Sequence, residues 1–334
     1  MNTKAVTLSI LTVLWVLLVS SSLQAQGNLT HIRVGSFNIA NFGATSEYER
    51  SLIDLVNIMR QTDPDLIVLQ EVEPNELGHA QVDRIVKLLN KAAAYYQMAR
   101  YDYAIAEPSG DETTAFLWRS PVSLESEISL LPHEEDPDHD GKRTFQRTPS
   151  VALFTAGHFD FYVVNCHLST KIKGTSSEGR EAEYEAIVTW LKELADGDER
   201  DAIVLGDFNR FLGGKGIWKR LMIPNHKTHF RFPLLEAIEN DDEGFDPIKH
   251  EAPQDMYSTT TSKKRSIYDQ ILISAGSYRE FTSSPNFGVD VGIVVFDDER
   301  QYEWYYGKLH NATKMLSDHR PVWIRMRIDQ NDDD

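Results

Sequence analysis

In 334 residues, 41% hydrophobic and 25% charged, the chain carries enough apolar material for a sizeable core, which excludes a disordered or fibrous protein. Against 34 Lys and Arg stand 51 Asp and Glu; the net charge of −17 argues against indiscriminate adhesion to phosphate polyanions. The single cysteine, Cys166, excludes an internal disulfide, a multi-Cys zinc site and an N-terminal lipid-bearing cysteine.

Met1 to Lys4 make a short basic start, Ala5 to Val19 are almost wholly apolar, and SSSLQAQG follows, with Ala25 as the last residue before cleavage. This tripartite layout predicts a secretory signal peptide over residues 1–25, an uncleaved anchor being the alternative. The expected mature chain, 26–334, is a single domain that is secreted or periplasmic. An exported chain without disulfides fits a bacterial envelope or medium better than an animal secretory route.

Ile32 to Ile39 reads as a strand, followed by a turn at Asn41 to Gly43. Ser46 caps an expected helix through Arg60, with Leu52, Ile53, Val56 and Met59 at helical spacing. Asp65 to Glu71 is an apolar strand that becomes polar only at its end, and Gln81 to Ala94 is a second helix. Strands are expected at Tyr101–Ala106, Thr113–Trp118 and Val122–Leu130, then a hairpin of Val151–Thr155 and Phe159–His167. A helix follows at Glu178–Leu194, and strands at Asp201–Asp207, Ser266–Ser274 and Val322–Ile328. This alternation predicts α/β architecture: a four-layer sandwich of two packed mixed sheets flanked by helices.

Four apolar strands end in polar groups: Phe37-Asn38, Gln70-Glu71, Asn165-Cys166-His167 and Gly206-Asp207-Phe208-Asn209. Tyr268-Asp269 and Ser317-Asp318-His319 add two more. Strand ends on one sheet edge converge on a crevice, where α/β proteins place ligands. Carboxylates, amides and imidazoles together suit a hard divalent cation plus acid–base chemistry.

The segments FNIANFG, VLQEVE, VVNCHLS, VLGDFN, YDQILIS and LSDHRPV, in this order, resemble the motifs of the endonuclease/exonuclease/phosphatase superfamily. With AEPSG and the Arg of FQRTP, the chain is most similar to the deoxyribonuclease-I-like branch. That resemblance implies Glu71 as principal metal ligand and Asp318 as a further carboxylate near the metal. Asn38, Asp207 and Asn209 would surround the scissile phosphate and the ion, Asn38 counting also as a metal ligand. It implies two His–acid pairs, His319 with Asp269 and His167 with Glu112, and Arg147 as a phosphate contact. Which histidine is base and which acid stays open, with a lean to His319 as base.

The chain departs from the branch at Ala40 and Glu73, where relatives place arginines that approach a DNA minor groove. Gly110 stands where a tyrosine is expected. Asp136, Asp138, Asp140 and Gly141 reproduce the opening of a calcium loop, and a structural Ca²⁺ site is set against the favoured reading, a solvated acidic loop. Trp304, Tyr305 and Tyr306 fit base stacking, a lipid interface or a buried strand. Lys171, Lys173, Arg210, Lys215, Lys219 and Arg220 follow two catalytic strands and form a candidate basic rim.

The expected protein is a monomeric, exported, Mg²⁺-dependent phosphodiesterase (Mn²⁺ serving as well), a nuclease acting on nucleic acid. A lipid or small-molecule phosphodiesterase, sphingomyelinase-like or an inositol-phosphate hydrolase, is the alternative. A non-catalytic binding module is disfavoured by the complete set of candidate catalytic residues.

Overall fold

The computed structural model describes residues 30–42, 51–135, 143–169, 178–197, 200–209, 230–241, 256–259, 266–297 and 316–329. In chain order the elements are β1 (His31–Phe42), α1 (Leu52–Thr62), β2 (Leu66–Val72), α2 (Glu76–Tyr96), β3 (Tyr101–Ile105), β4 (Thr113–Arg119), β5 (Val122–Leu124) and β6 (Ser129–Leu130). There follow β7 (Ser150–Ala156), β8 (Phe159–His167), α3 (Glu178–Leu194), β9 (Ala202–Asp207), β10 (Phe230–Arg231), α4 (Pro233–Asp241), β11 (Asp269–Ser274), β12 (Val291–Ile293) and β13 (Val322–Arg327).

Two mixed sheets form the centre. The first runs β12-β13-β1-β2-β4-β3, and the second β10-β11-β9-β8-β7-β5 with β6 beside β7. Within them β1/β2 and β8/β9 are the parallel pairs. Strand alternation explains the layering. Val34, Val68 and Phe116 of the first sheet share a buried core with Phe154, Phe161 and Val163 of the second. The alternate residues Phe37, Leu69 and Leu117 face outward and are covered by Leu55 and Met59 of α1 and Val82 and Leu89 of α2. Tyr184, Ile187 and Leu191 of α3 and Leu234 and Ile238 of α4 belong to the core of the second sheet. The architecture is the expected α/β sandwich.

Local boundaries differ from the sequence expectation for identifiable reasons. Helix α1 is capped by Ser51, whose Oγ accepts from Asp54 N at 3.3 Å; Ser46 lies outside the described residues. Its buried stripe is Leu55, Val56, Ile58 and Met59, while Ile53 is exposed. Helix α2 begins earlier than expected because Asn75 Oδ1 accepts from the backbone N–H of Leu77 and Gly78. The strand expected over Val122–Leu130 splits in two. Between the halves Ser126 Oγ takes the Leu153 N–H, so a side chain replaces a ladder bond.

Candidate active site

Register brings the polar strand ends together. In the second sheet His167 pairs with Asp207 and Asp207 with Asp269, so three functional side chains stand side by side on adjacent strands. In the first sheet Asn38 pairs with Gln70. Both rows lie on faces turned toward the other sheet, and they are tied by a buried network. Gln70 Nε2 donates to Asn165 Oδ1 at 2.7 Å and to Ser36 Oγ at 3.0 Å, while Asn165 Nδ2 reaches the carbonyls of Leu69 and Ala115. In the sequence Gln70 and Asn165 read only as strand ends. Their position inside otherwise apolar runs was the available signal that they satisfy one another.

Glu71 is the exception to alternation. Following Gln70, it belongs on the helix-covered face, yet its left-handed φ of 58° turns it into the crevice. The strand registers on both sides of β2 shift at this point. Asn38 Nδ2 donates to Glu71 Oε1 at 2.9 Å and to Asp207 Oδ2 at 3.0 Å, joining the sheets across the site. Asn38 Oδ1 accepts from Ala40 N, so this amide holds the two carboxylates and keeps its oxygen for the backbone.

Each histidine is held through Nδ1 by a carboxylate. His319 meets Asp269 Oδ2 at 2.8 Å, and His167 meets Glu112 Oε1 at 2.7 Å. Their Nε2 atoms then face one acceptor, Asp207 Oδ2, at 3.5 Å and 3.6 Å. Arg147 crosses this arrangement: Nη2 lies 3.2 Å from His167 Nε2, and Nε donates to the His167 carbonyl. Asn209, with φ of 49°, donates from Nδ2 to the Leu168 carbonyl and through its N–H to Asp207 Oδ1. Ser317 Oγ donates to the Asn38 carbonyl and accepts from His319 N, fixing the segment that carries His319.

Electrostatics separates the two imidazoles. Burial alone would lower the pKa of His319, but Asp269 and Asp207 outweigh it and hold the ring well above its ordinary value. Burial lowers that of His167, against the pull of Asp207. Burial likewise raises Asp207, and it pushes Glu112 up to about 8 despite the opposing Arg147. The same burial thus acts on two rings in opposite net directions, because the two carboxylates nearest His319 outweigh it there.

Glu71, Asp207 and His319 each offer a ligand atom, all within 4.8 Å of one another. Two carboxylates and one imidazole suit a hard divalent ion, and the raised Asp207 is a buried carboxylate short of positive charge. Asp318 lies outside this trio: its side chain is 49% exposed at the rim, with Oδ1 4.0 Å from His319 Nε2. Gly110 belongs to a close approach in which a Cβ would lie 2.8 Å from the Gln146 carbonyl, at a φ of 72° that disfavours the expected tyrosine. Asp136, Asp138, Asp140, the residues of the candidate basic rim and Trp304 to Tyr306 lie outside the described residues.

The profile of the Endonuclease/Exonuclease/phosphatase family matches residues 35–319. Curated protein sequences give no match. Among solved structures, truncated TDP2 from Caenorhabditis elegans superposes with a TM-score of 0.56 at 15% identity, covering 89% of this chain and 97% of that one. The human Nocturnin catalytic domain with bound sulfate anion gives 0.53 at 14% identity, covering 89% and 94%. TDP2 from D. rerio, complexed with single strand DNA product, gives 0.53 at 15% identity, covering 89% and 98%.

Proposed function

Because the chain belongs to the endonuclease/exonuclease/phosphatase family, we propose that it is an exported, divalent-metal-dependent phosphodiesterase, and within that class a nuclease. The observation that carries this reading is the convergence of two carboxylate-held imidazoles on Asp207, beside Glu71 and Arg147. Phosphodiester hydrolysis needs an activated water, a counter-charge for the phosphoryl oxygens and a proton for the leaving oxygen.

Glu71 and Asp207 would hold the ion, Mg²⁺ or Mn²⁺ by their donor types, with Asn38 orienting both carboxylates and His319 left free for proton exchange. Such an ion supplies charge neutralisation at the phosphate and a water that deprotonates more readily. Arg147, anchored to the His167 carbonyl, presents its guanidinium to a phosphate oxygen. Glu112 and Asp269 fix each imidazole so that Nε2 is the atom that exchanges a proton with substrate.

The D. rerio TDP2 structure holds a single strand DNA product, which supports nucleic acid as substrate. Ala40 and Glu73, lacking the expected arginines, favour the second reading, a lipid or small-molecule phosphodiesterase. Purified protein incubated with plasmid, single-stranded DNA, RNA, sphingomyelin and inositol phosphates, each with Mg²⁺ and with EDTA, decides between them. Metal-dependent cleavage of nucleic acid is expected; turnover of lipid alone sinks the nuclease reading. Export rests on the apolar run Ala5 to Val19. N-terminal sequencing of the expressed protein should begin near Gln26, and an intact Met1 overturns cleavage.

A further inference from the structure

Helix α3 turns a carboxylate inward. Glu183 is 1% exposed, and its three donors all come from chain segments next to site residues. Oε1 accepts from Gln146 N at 3.1 Å and from Ser169 Oγ at 2.7 Å, and Oε2 accepts from Ser169 N at 2.9 Å. Gln146 immediately precedes Arg147, and Ser169 lies two residues beyond His167. The next helical residue, Tyr184, is equally buried; its hydroxyl donates to the Phe208 carbonyl at 2.6 Å, between Asp207 and Asn209. Two consecutive residues of one helix thus hold the backbone of three site-bearing segments. Those segments are also bonded to one another: Arg147 Nε to the His167 carbonyl, Asn209 Nδ2 to the Leu168 carbonyl, and Leu168 N to the Asp207 carbonyl.

Packing alone does not require this carboxylate. An apolar side chain would cover the second sheet as well, and burying a carboxylate costs free energy unless donors meet it. What it adds is a fixed separation between the loop carrying Arg147 and the strand end carrying His167. We propose that Glu183, assisted by Tyr184, is a positioning residue that fixes Arg147, His167 and Asp207 relative to one another for turnover. The proposal rests on the phosphodiesterase reading for its kinetic consequence, and on geometry alone for the contacts.

The test compares full-length wild type with Glu183→Gln, which keeps the volume but sets an amide NH₂ against a backbone N–H donor and removes the charge that both donors meet. Leu191→Ala is the control: it removes buried packing from the same helix, at a side chain with no atom that can make the hydrogen bonds at issue. Two quantities are read, kcat and KM on the phosphodiester that the wild type cleaves, and hydrogen exchange of the Gln146 and Ser169 amides. Glu183→Gln should lower kcat about tenfold or more while KM changes far less, since a small misplacement of catalytic groups is felt mainly in the chemical step. Both amides should exchange faster than in wild type. Leu191→Ala should lower Tm and leave kcat and the two amides near wild type. Wild-type kcat in Glu183→Gln, unchanged amide exchange, or an equal kcat loss in Leu191→Ala each overturns the proposal. Should Glu183→Gln fail to fold, Tyr184→Phe removes one hydroxyl and keeps the ring. A several-fold kcat loss is then expected, and an unchanged kcat overturns the proposal. A wild type inactive on every phosphodiester refutes the enzymatic reading, while amide exchange still decides whether the brace exists.

Discussion

Asp207 is 1% exposed, with two imidazole Nε2 atoms within 3.6 Å, so it stands between the two His–acid pairs. Removing His319 deletes one of those imidazoles and leaves Asp269, fully buried, without its ring partner. His319→Ala should lower turnover by on the order of 10²–10⁴-fold, the range of a lost acid–base group, with far-UV circular dichroism retained. Near-wild-type activity would refute the His–Asp assignment. The same residues predict a pH dependence of stability. Glu112, at about 8 instead of 4.5, and Asp207 and His319, both raised, bind protons more tightly folded than unfolded. Each therefore contributes stability below its unfolded pKa that is lost as pH rises through the folded one. His167, lowered by burial, acts oppositely, mainly below its ordinary 6.5. Between pH 6.5 and 8 the three raised groups outweigh the residual opposite contribution of His167, so the Tm of EDTA-treated protein should fall across that window. A divalent ion competes with these protons, so added Mg²⁺ should raise Tm more at pH 8 than at 6.5. A flat apo profile with equal Mg²⁺ shifts would reject the cluster as a cation site.

Among the elements, β8, β9 and β11 fix the catalytic row, and close backbone approach makes their register possible. Gly206 lies opposite Cys166 with φ of 146°, and a Cβ there would stand 1.9 Å from the Cys166 carbonyl. Gly206→Ala should cost about 3 kcal/mol or more, from overpacking added to backbone strain, read as a large drop in Tm. A Tm within a degree of wild type would contradict the register. Much of this layer was legible in sequence, because each strand is an apolar run ending in a polar pair, and period two sends His167 inward and Cys166 away. Less legible was the facing of Glu71, which depends on one left-handed residue that breaks alternation. The early start of α2 was hidden too. Its first turn carries exposed Glu76 and Leu77, so the helix begins where Asn75 caps it and before the buried stripe sets in. Glu183 escaped notice because one Glu in a charged helix looks like its solvated neighbours until its donors are located.

For the whole molecule, the net charge of −17 and the local site make opposing demands on a polyanionic substrate. The long-range field repels phosphates, whereas the site offers Arg147 and a cluster suited to a divalent ion. Binding should therefore depend on the ion more than on monovalent counterion release. At fixed Mg²⁺, the logarithm of apparent affinity for single-stranded DNA plotted against that of NaCl concentration should have a slope of about −0.7 to −1.4, as for one or two phosphate contacts. A slope of about −5 or steeper would mean that several lysines and arginines grip the backbone, assigning that work to the segments containing Lys171, Lys173, Arg210, Lys215, Lys219 and Arg220. No salt dependence at all, with turnover of a zwitterionic lipid intact, would move the substrate away from nucleic acid. The experiment thus separates the field of the whole surface from that of the crevice, two quantities that one net charge cannot distinguish.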